Sequence, residues 1–240
     1  MIRIMRHTTL ILAAIITMVL PASALSAVIF DNGAPDLNSI SHRLASDIGG
    51  QYTSFYTADN FTLQPGANVI TGVHWWGWKN PLGGQPNDFT IRIYEDAGGK
   101  PIDPHSSQLY QDLSIIGDSS NWNSVTGINE GDVAVNPFTL DPNTTYWLSI
   151  FDDSNSSENH PWFWIAGEGG GDAVQAEVGG SSLNWQPAGE GETGAPNMAF
   201  YLTGDIAAVP LPASALLMLS GMGLMGLLSR GRRKMAKAVD

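Results

Sequence analysis

All eight tryptophans of this 240-residue chain lie between Trp75 and Trp185, and four of them stand at alternate positions, Trp76 with Trp78 and Trp162 with Trp164. In an extended strand residues two apart share a face, so each pair would set two indoles on one side. Exposed indoles stack on the apolar C–H faces of sugar rings, and neighbouring Asp, Asn and Gln would bind the hydroxyls. The chemistry these spacings suit is therefore carbohydrate binding, of an exopolysaccharide for instance. Indoles also fill cores, and residue by residue that role is the commoner one. At least one pair could form an open platform, and a mixture of core and surface roles is expected.

A second chemistry-bearing run is Asp152-Asp153-Ser154-Asn155-Ser156-Ser157-Glu158, dense in hard oxygen ligands of the kind Ca²⁺ takes. Asp152, Asp153, Asn155 and Glu158 are its candidate ligands. Read from Asp153, the run supplies Asp153, Asn155 and Ser157 where a calcium-binding hand needs oxygen. The pattern then stops, with Glu158 in place of the turn glycine and Trp164 in place of the terminal glutamate. The run reads better as a solvated acidic loop, and no cofactor is expected.

Catalysis has little behind it. There is no Gly-x-Ser-x-Gly and no His-Glu-x-x-His, and His42, His74, His105 and His160 are dispersed. Gly167-Glu168-Gly169-Gly170-Gly171-Asp172 lacks the last glycine of a dinucleotide fingerprint and opens no helix. Carboxylate pairs for glycoside hydrolysis can be drawn at will from so many acids, which makes any one choice uninformative. A non-enzymatic protein is expected; the alternatives are a secreted carbohydrate-active enzyme of the glycoside hydrolase type and a purely structural adhesive or ice-contacting surface protein.

The elements that must hold these residues read as strands. Phe89 to Tyr94 alternates, with Phe89, Ile91 and Ile93 on one face and Thr90, Arg92 and Tyr94 on the other. Asp96 to Pro101 then turns the chain. Similar runs are Val28–Phe30, Asn60–Leu63, Val69–Trp78, Val133–Leu140, Thr145–Phe151, Pro161–Ala166, Ala173–Val178 and Met198–Thr203. Short strands at this spacing predict an all-β fold, an antiparallel jelly-roll-like β-sandwich. Leu37–Ser46 is the one stretch read as a helix or irregular excursion, and the glycine-rich Gly167–Gly171, Gly179-Gly180 and Gly189–Gly194 are expected to be loops.

Charge is partitioned. Residues 28–208 hold four basic residues, Arg43, Lys79, Arg92 and Lys100, against 22 acids, a net charge of −18, while the whole chain carries −12. So acidic a surface repels nucleic acid and anionic lipid headgroups, and no nucleic-acid partner is expected. The absence of cysteine excludes a disulfide framework and a thiolate metal site.

Both ends read as addresses. Residues 1–26 have the layout of a secretory signal peptide: Arg3 and Arg6, an apolar run from Leu10 to Leu20, then Pro21-Ala22-Ser23-Ala24, with cleavage after Ala24 or nearer Ser26 and Ala27. Residues 27–205 are the expected ectodomain. Residues 206–240 hold Val209-Pro210-Leu211-Pro212-Ala213, an apolar helix over about 213–229 and the basic residues Arg230, Arg232, Arg233 and Lys234. The 16 residues from Ala213 to Leu228 would rise about 24 Å as a helix, enough with their flanks to cross a bilayer. The basic cluster would stay in the cytoplasm by the positive-inside rule, which puts the acidic middle outside.

These last residues resemble the PEP-CTERM sorting signal in its VPLPA form, in which Leu211 stands where the common form has glutamate. The resemblance implies recognition by an exosortase-type membrane protease and transfer to the cell surface or extracellular matrix of a Gram-negative bacterium, typically one that makes exopolysaccharide. The order of Asp31-Asn32-Gly33, Ala58–Leu63, Ile70–Trp75, Phe89–Gly99 and Thr145–Leu148 also resembles the β-sandwich ectodomains found ahead of this signal. Those ectodomains imply no catalytic residue here.

Overall fold

The computed structural model describes residues 26–35, 43–48, 54–79, 87–102, 108–117, 128–153, 161–178, 184–188 and 195–206. All of them fall within one compact unit, Ser23–Ile206. The strands are β1 (Ser26–Asp31), β2 (Arg43–Ala45), β3 (Phe55–Thr62), β4 (Val69–Trp78), β5 (Asn87–Glu95), β6 (Gln108–Gly117), β7 (Ile128–Thr139), β8 (Thr145–Asp152), β9 (Phe163–Gly170), β10 (Val174–Glu177), β11 (Gln186–Pro187), β12 (Pro196–Met198) and β13 (Phe200–Asp205). No helix occurs among the described residues.

Two antiparallel sheets result, so the all-β sandwich expected from alternation is what forms. The six-stranded sheet runs β11-β10-β3-β8-β5-β6; the seven-stranded one runs β1-β13-β4-β9-β12, with β7 on β4 and β2 on β9. β4 organises the second sheet. It pairs with β7 along its length and with β13 from Val69 to Trp75, and β9 takes over β13's side at Gly77 and Trp78.

Between the sheets lies an apolar interior built from alternate residues of facing strands, among them Val73 and Trp75 of β4, Phe89, Ile91 and Ile93 of β5, Leu148 and Ile150 of β8, and Phe200 and Leu202 of β13. Period-2 alternation is what delivers one side chain in two to this layer. A second apolar cluster, with Tyr56, Tyr94, Trp147, Phe151, Val174 and Trp185, lies on the other side of the six-stranded sheet. β8 contributes to both, which is why seven of its eight residues are buried.

Two glycines make room for the interior indoles. A Cβ on Gly131 of β7 would fall on the indole of Trp75, its cross-strand partner, and one on Gly77 of β4 would fall on the indole of Trp162. Each ring lies flat against backbone that only glycine leaves uncovered.

Three expectations are corrected. Within Leu37–Ser46, read as a helix or excursion, Arg43–Ala45 is strand β2, because its backbone is claimed by Phe163–Ile165 of β9; residues 37–42 lie outside the described set. Gly167–Gly170, read as loop, continues β9, since pairing of Gly170 with Pro196 holds it extended whatever its propensity. The strand predicted over Met198–Thr203 is interrupted at Ala199, where β12 gives way to β13.

Candidate functional site

The two tryptophan pairs part company. Trp162 and Trp164 are both 0% exposed. Trp162 Nε1 donates to Asn129 Oδ1 at 3.3 Å, Trp164 Nε1 to the Ala199 carbonyl at 3.0 Å, and Phe89 packs edge-on to Trp162 at 5.0 Å. With their polar atoms bonded and their faces packed, these two indoles belong to the core, which corrects their candidacy for an open platform. Trp76 and Trp78 point the other way, onto the outer face of the seven-stranded sheet, and both are half-buried.

On that face, β4 and its neighbours assemble more aromatic surface than the tryptophans alone. His74 shares the side of Trp76 and Trp78 by alternation, and the register sets Tyr201 of β13 directly beside His74. Their rings stack at 4.2 Å and 9°, and Trp76 meets His74 edge-on at 4.6 Å and Tyr201 at 5.8 Å. Further along, Trp78 lies 5.8 Å from Phe163 of β9, and the Arg43 guanidinium of β2 sits 4.0 Å over Trp78 and 5.0 Å from Phe163. This is an arrangement in which a cation is held by ring faces.

Carboxylates rim the stacked rings. Glu130 Oε1 of β7 is 2.8 Å from His74 Nε2, and Asp132 and Asp31 are the strand partners of His74 and Tyr201. Burial, then Asp132, Glu130 and Asp31, push the Tyr201 phenol above its ordinary value, so it stays protonated as a hydroxyl. The face thus sets two half-buried indoles beside carboxylate acceptors and a phenol donor, while His74, 5% exposed, and Tyr201 turn ring faces to each other.

Tyr201, His74 and Phe163 are members of this face that sequence reasoning passed over. The alternation His74-x-Trp76-x-Trp78 was legible. Tyr201 enters through the pairing of β4 with β13, 127 residues apart in the chain, which no local pattern announces.

The acidic run divides as well. Asp152 is the last residue of β8 and is 0% exposed; its Oδ2 accepts from Lys79 Nζ at 2.9 Å and its Oδ1 from the Asp88 backbone N–H at 3.1 Å. Lys79, itself 1% exposed, therefore occupies the place beside Asp152 that a cation would need. Asp152 thus stands apart from a loop calcium set and serves as one half of a buried ion pair. Asp153 is exposed, and Asn155 and Glu158 lie outside the described residues.

A buried carboxylate that the sequence did not single out, Asp59 of β3, ties the two sheets together. Its Oδ2 accepts from Asn32 Nδ2 at 2.7 Å and from the Met198 backbone N–H at 2.6 Å, and its Oδ1 from the Asn60 N–H at 2.8 Å. Burial outweighs these donors and raises its pKa to about 7.

Near it, a cleft of ≈ 370 Å³ is lined by Asn60, Asp96, Thr145, Trp147 and Asp172 among others. Its polar groups are spent on each other: Trp147 Nε1 donates to Asp96 Oδ1 at 2.8 Å and Asn60 Nδ2 to Asp172 Oδ2 at 3.3 Å. Asp96 is fixed there by the N–H groups of Gly98 and Gly99, both at positive φ. Trp147 is 1% exposed and presents no ring face.

Residues 208–234 match the PEP-CTERM protein-sorting motif. The chain therefore carries the signal of an exported protein that an exosortase sorts to the cell surface or extracellular space. Val209, Pro210, Leu211, Pro212 and Ala213, the basic Arg230, Arg232, Arg233 and Lys234, the apolar stretch 213–229 and residues 1–25 all lie outside the described residues. No curated protein matches the chain. Among solved structures it is similar to the cysteine protease and lectin-like domains of Cwp84, a surface layer associated protein of Clostridium difficile, with 8% identity and a TM-score of 0.40, over 63% of this chain and 32% of that one.

Proposed function

We propose that this exosortase-sorted surface protein is non-catalytic and retains exopolysaccharide on the outer face of its seven-stranded sheet, through Trp76 and Trp78 together with His74 and Tyr201. The observation that carries the reading is the contrast between equivalent tryptophan pairs. Trp162 and Trp164 are sealed with their N–H groups bonded, while Trp76 and Trp78 stay partly open in a row of rings rimmed by carboxylates.

Support for a non-catalytic role comes from Asp59. Its pKa is raised to about 7, the value suited to general acid work, yet it is 0% exposed and bonded to Asn32 and Met198. It braces the sandwich and reaches no substrate.

The sorting signal is of the VPLPA form, Val209 to Ala213, and the precursor is anchored by the helix over about 213–229 with Arg230, Arg232, Arg233 and Lys234 on the cytoplasmic side of a Gram-negative inner membrane. Residues 1–24 serve as the export signal. Cleavage after Ala24 spares β1, which pairs with β13 from Ser26 and Ala27 onward, whereas cleavage after Ala27 would remove both of those partners.

The test of the binding role is retention of the purified protein on a panel of immobilised polysaccharides, with Trp76→Ala and Trp78→Ala beside the wild type. Retention lost with the fold intact is the expected outcome. Wild-type protein that no polysaccharide holds would overturn it. For sorting, mass spectrometry of the surface form should find the Arg230–Lys234 cluster gone, and N-terminal sequencing should begin at Leu25.

A further inference from the structure

The platform just proposed leaves its ligand class open, and the charge of the four strands that build it narrows the choice. In β1, β13, β4 and β7 the register places Asp31 beside Tyr201, Tyr201 beside His74 and His74 beside Asp132, a single row across the sheet. With strands about 4.8 Å apart, the row is about 14 Å long. Its middle is the stacked pair of rings, its two ends are exposed carboxylates, and Trp76 and its partner Glu130 begin the next row.

No Lys or Arg occurs in any of these four strands. Of the four basic residues of 28–208, Lys79 is buried on Asp152, Arg92 lies beside Tyr56 and Phe151 on β5, and Lys100 is in the turn after β5; Arg43 alone shares this face, beyond the two rows, with its guanidinium on Trp78 and Phe163. The charges that the register sets directly beside the stacked rings and Trp76 are therefore all carboxylates, Asp31, Asp132 and Glu130. A uronate or sulfate on a bound glycan would be repelled there, and an ammonium would be drawn to either end of the row.

Resting on the platform reading, we infer that the ligand is an amine-bearing polysaccharide, one with free hexosamine units whose ring faces lie on Tyr201 and Trp76 and whose ammonium groups pair with Asp31 and Asp132. Each such exposed pair changes affinity by about two- to fivefold, and successive amines along one glycan chain multiply the effect. High salt screens it.

The experiment compares the full-length protein on three immobilised polymers at mildly acidic pH: chitosan, whose amines are free and protonated; chitin, the same backbone with its amines acetylated; and alginate, a polyuronate. Retention on chitosan should exceed that on chitin, and alginate should retain least. Asp132→Asn and Asp31→Asn should each lower chitosan retention about two- to fivefold and leave chitin unchanged. Asn at position 31 keeps an oxygen for the Gly33 N–H that Asp31 Oδ1 now accepts at 2.9 Å, so the fold is not at stake. Asp141→Asn, an exposed carboxylate beyond β7, controls for the overall acidity of the domain. Should Asp141→Asn cost as much as Asp132→Asn, the attraction is general charge and the inference is overturned. Equal retention on chitin and chitosan, lost from both in Trp76→Ala, overturns the amine and leaves the platform standing. No retention on any polymer, or retention indifferent to Trp76→Ala and Tyr201→Ala alike, sinks the platform and the amine together.

Discussion

β4 shows two faces made from one stretch of ten residues, and they differ in kind. Toward the six-stranded sheet it presents Val73 and Trp75, both at most 1% exposed, with Gly77 uncovered for the indole of Trp162. On the other side it carries His74, 5% exposed, with the half-buried Trp76 and Trp78; Trp76 meets His74 and Tyr201, Trp78 meets Phe163 and Arg43, and no second sheet roofs them among the described residues. Composition is not the difference, since both faces are aromatic. What separates them is exposure: Trp75 is 1% exposed beneath the second sheet, while Trp76 and Trp78 stay half-open beside carboxylates. The inner face spends its aromatics on stability and the outer face keeps them for contact.

The hardest test of that contrast is truncation. Trp162→Ala or Trp164→Ala should cost about 3–5 kcal/mol, enough to unfold a domain of ordinary stability, as a denaturant titration would show. If either variant melted like the wild type, the inner and outer faces would not differ as described.

An effect of similar size belongs to Asp59 and sharpens the contrast from the polar side. Its folded pKa of about 7 stands above the ordinary 3.8, so the folded state holds a proton that the unfolded state releases. Its contribution is complete below the unfolded value, declines as pH rises from 4 toward 7, and is level above that. The decline amounts to about 4 kcal/mol at one unit per 1.36 kcal/mol. Asp59→Asn should flatten that window of the stability profile relative to the wild type. An unchanged slope would remove Asp59 from the clasp between the sheets.

Gly131→Ala sets a Cβ on the Trp75 indole and should cost about 1–3 kcal/mol by overpacking. The same substitution at Gly66, at positive φ but with open space around it, would act through the backbone alone, so a difference in unfolding-arm kinetics would separate the two causes.

Smallest in stability is Trp76→Ala, expected at about 1 kcal/mol or less because the side chain is only half-buried. Polysaccharide retention should fall far more than stability does. A large loss of stability here would make the outer face a second core under another name.

Much of this organisation was legible before any coordinates. The strict alternation of Phe89–Tyr94 and the run Val69–Trp78 marked β5 and β4 to within two residues, because one buried face imposes period 2. The strands β2, β6 and β11 were missed because their sequences carry no clean alternation, and β9 runs on through Gly167–Gly170 only because Pro196 and Met198 pair with it. The candidate site was half legible. Trp76 and Trp78 could be placed on one side of a strand, but so could Trp162 and Trp164, and nothing local distinguishes a side that another sheet will cover from one that none will.

By itself, then, the sequence determined the class of fold, the acidity of the exported domain and the sorting signal over 208–234, since these rest on period, composition and a contiguous motif. Only the tertiary structure decided which tryptophans are core, that Asp152 belongs to Lys79, and that Tyr201 and Asp31 join His74 and Asp132 in one row. Period 2 tells a strand that it has two sides. Which side meets the second sheet is set by partners on other strands, near or far along the chain, and so is the meaning of every side chain on it.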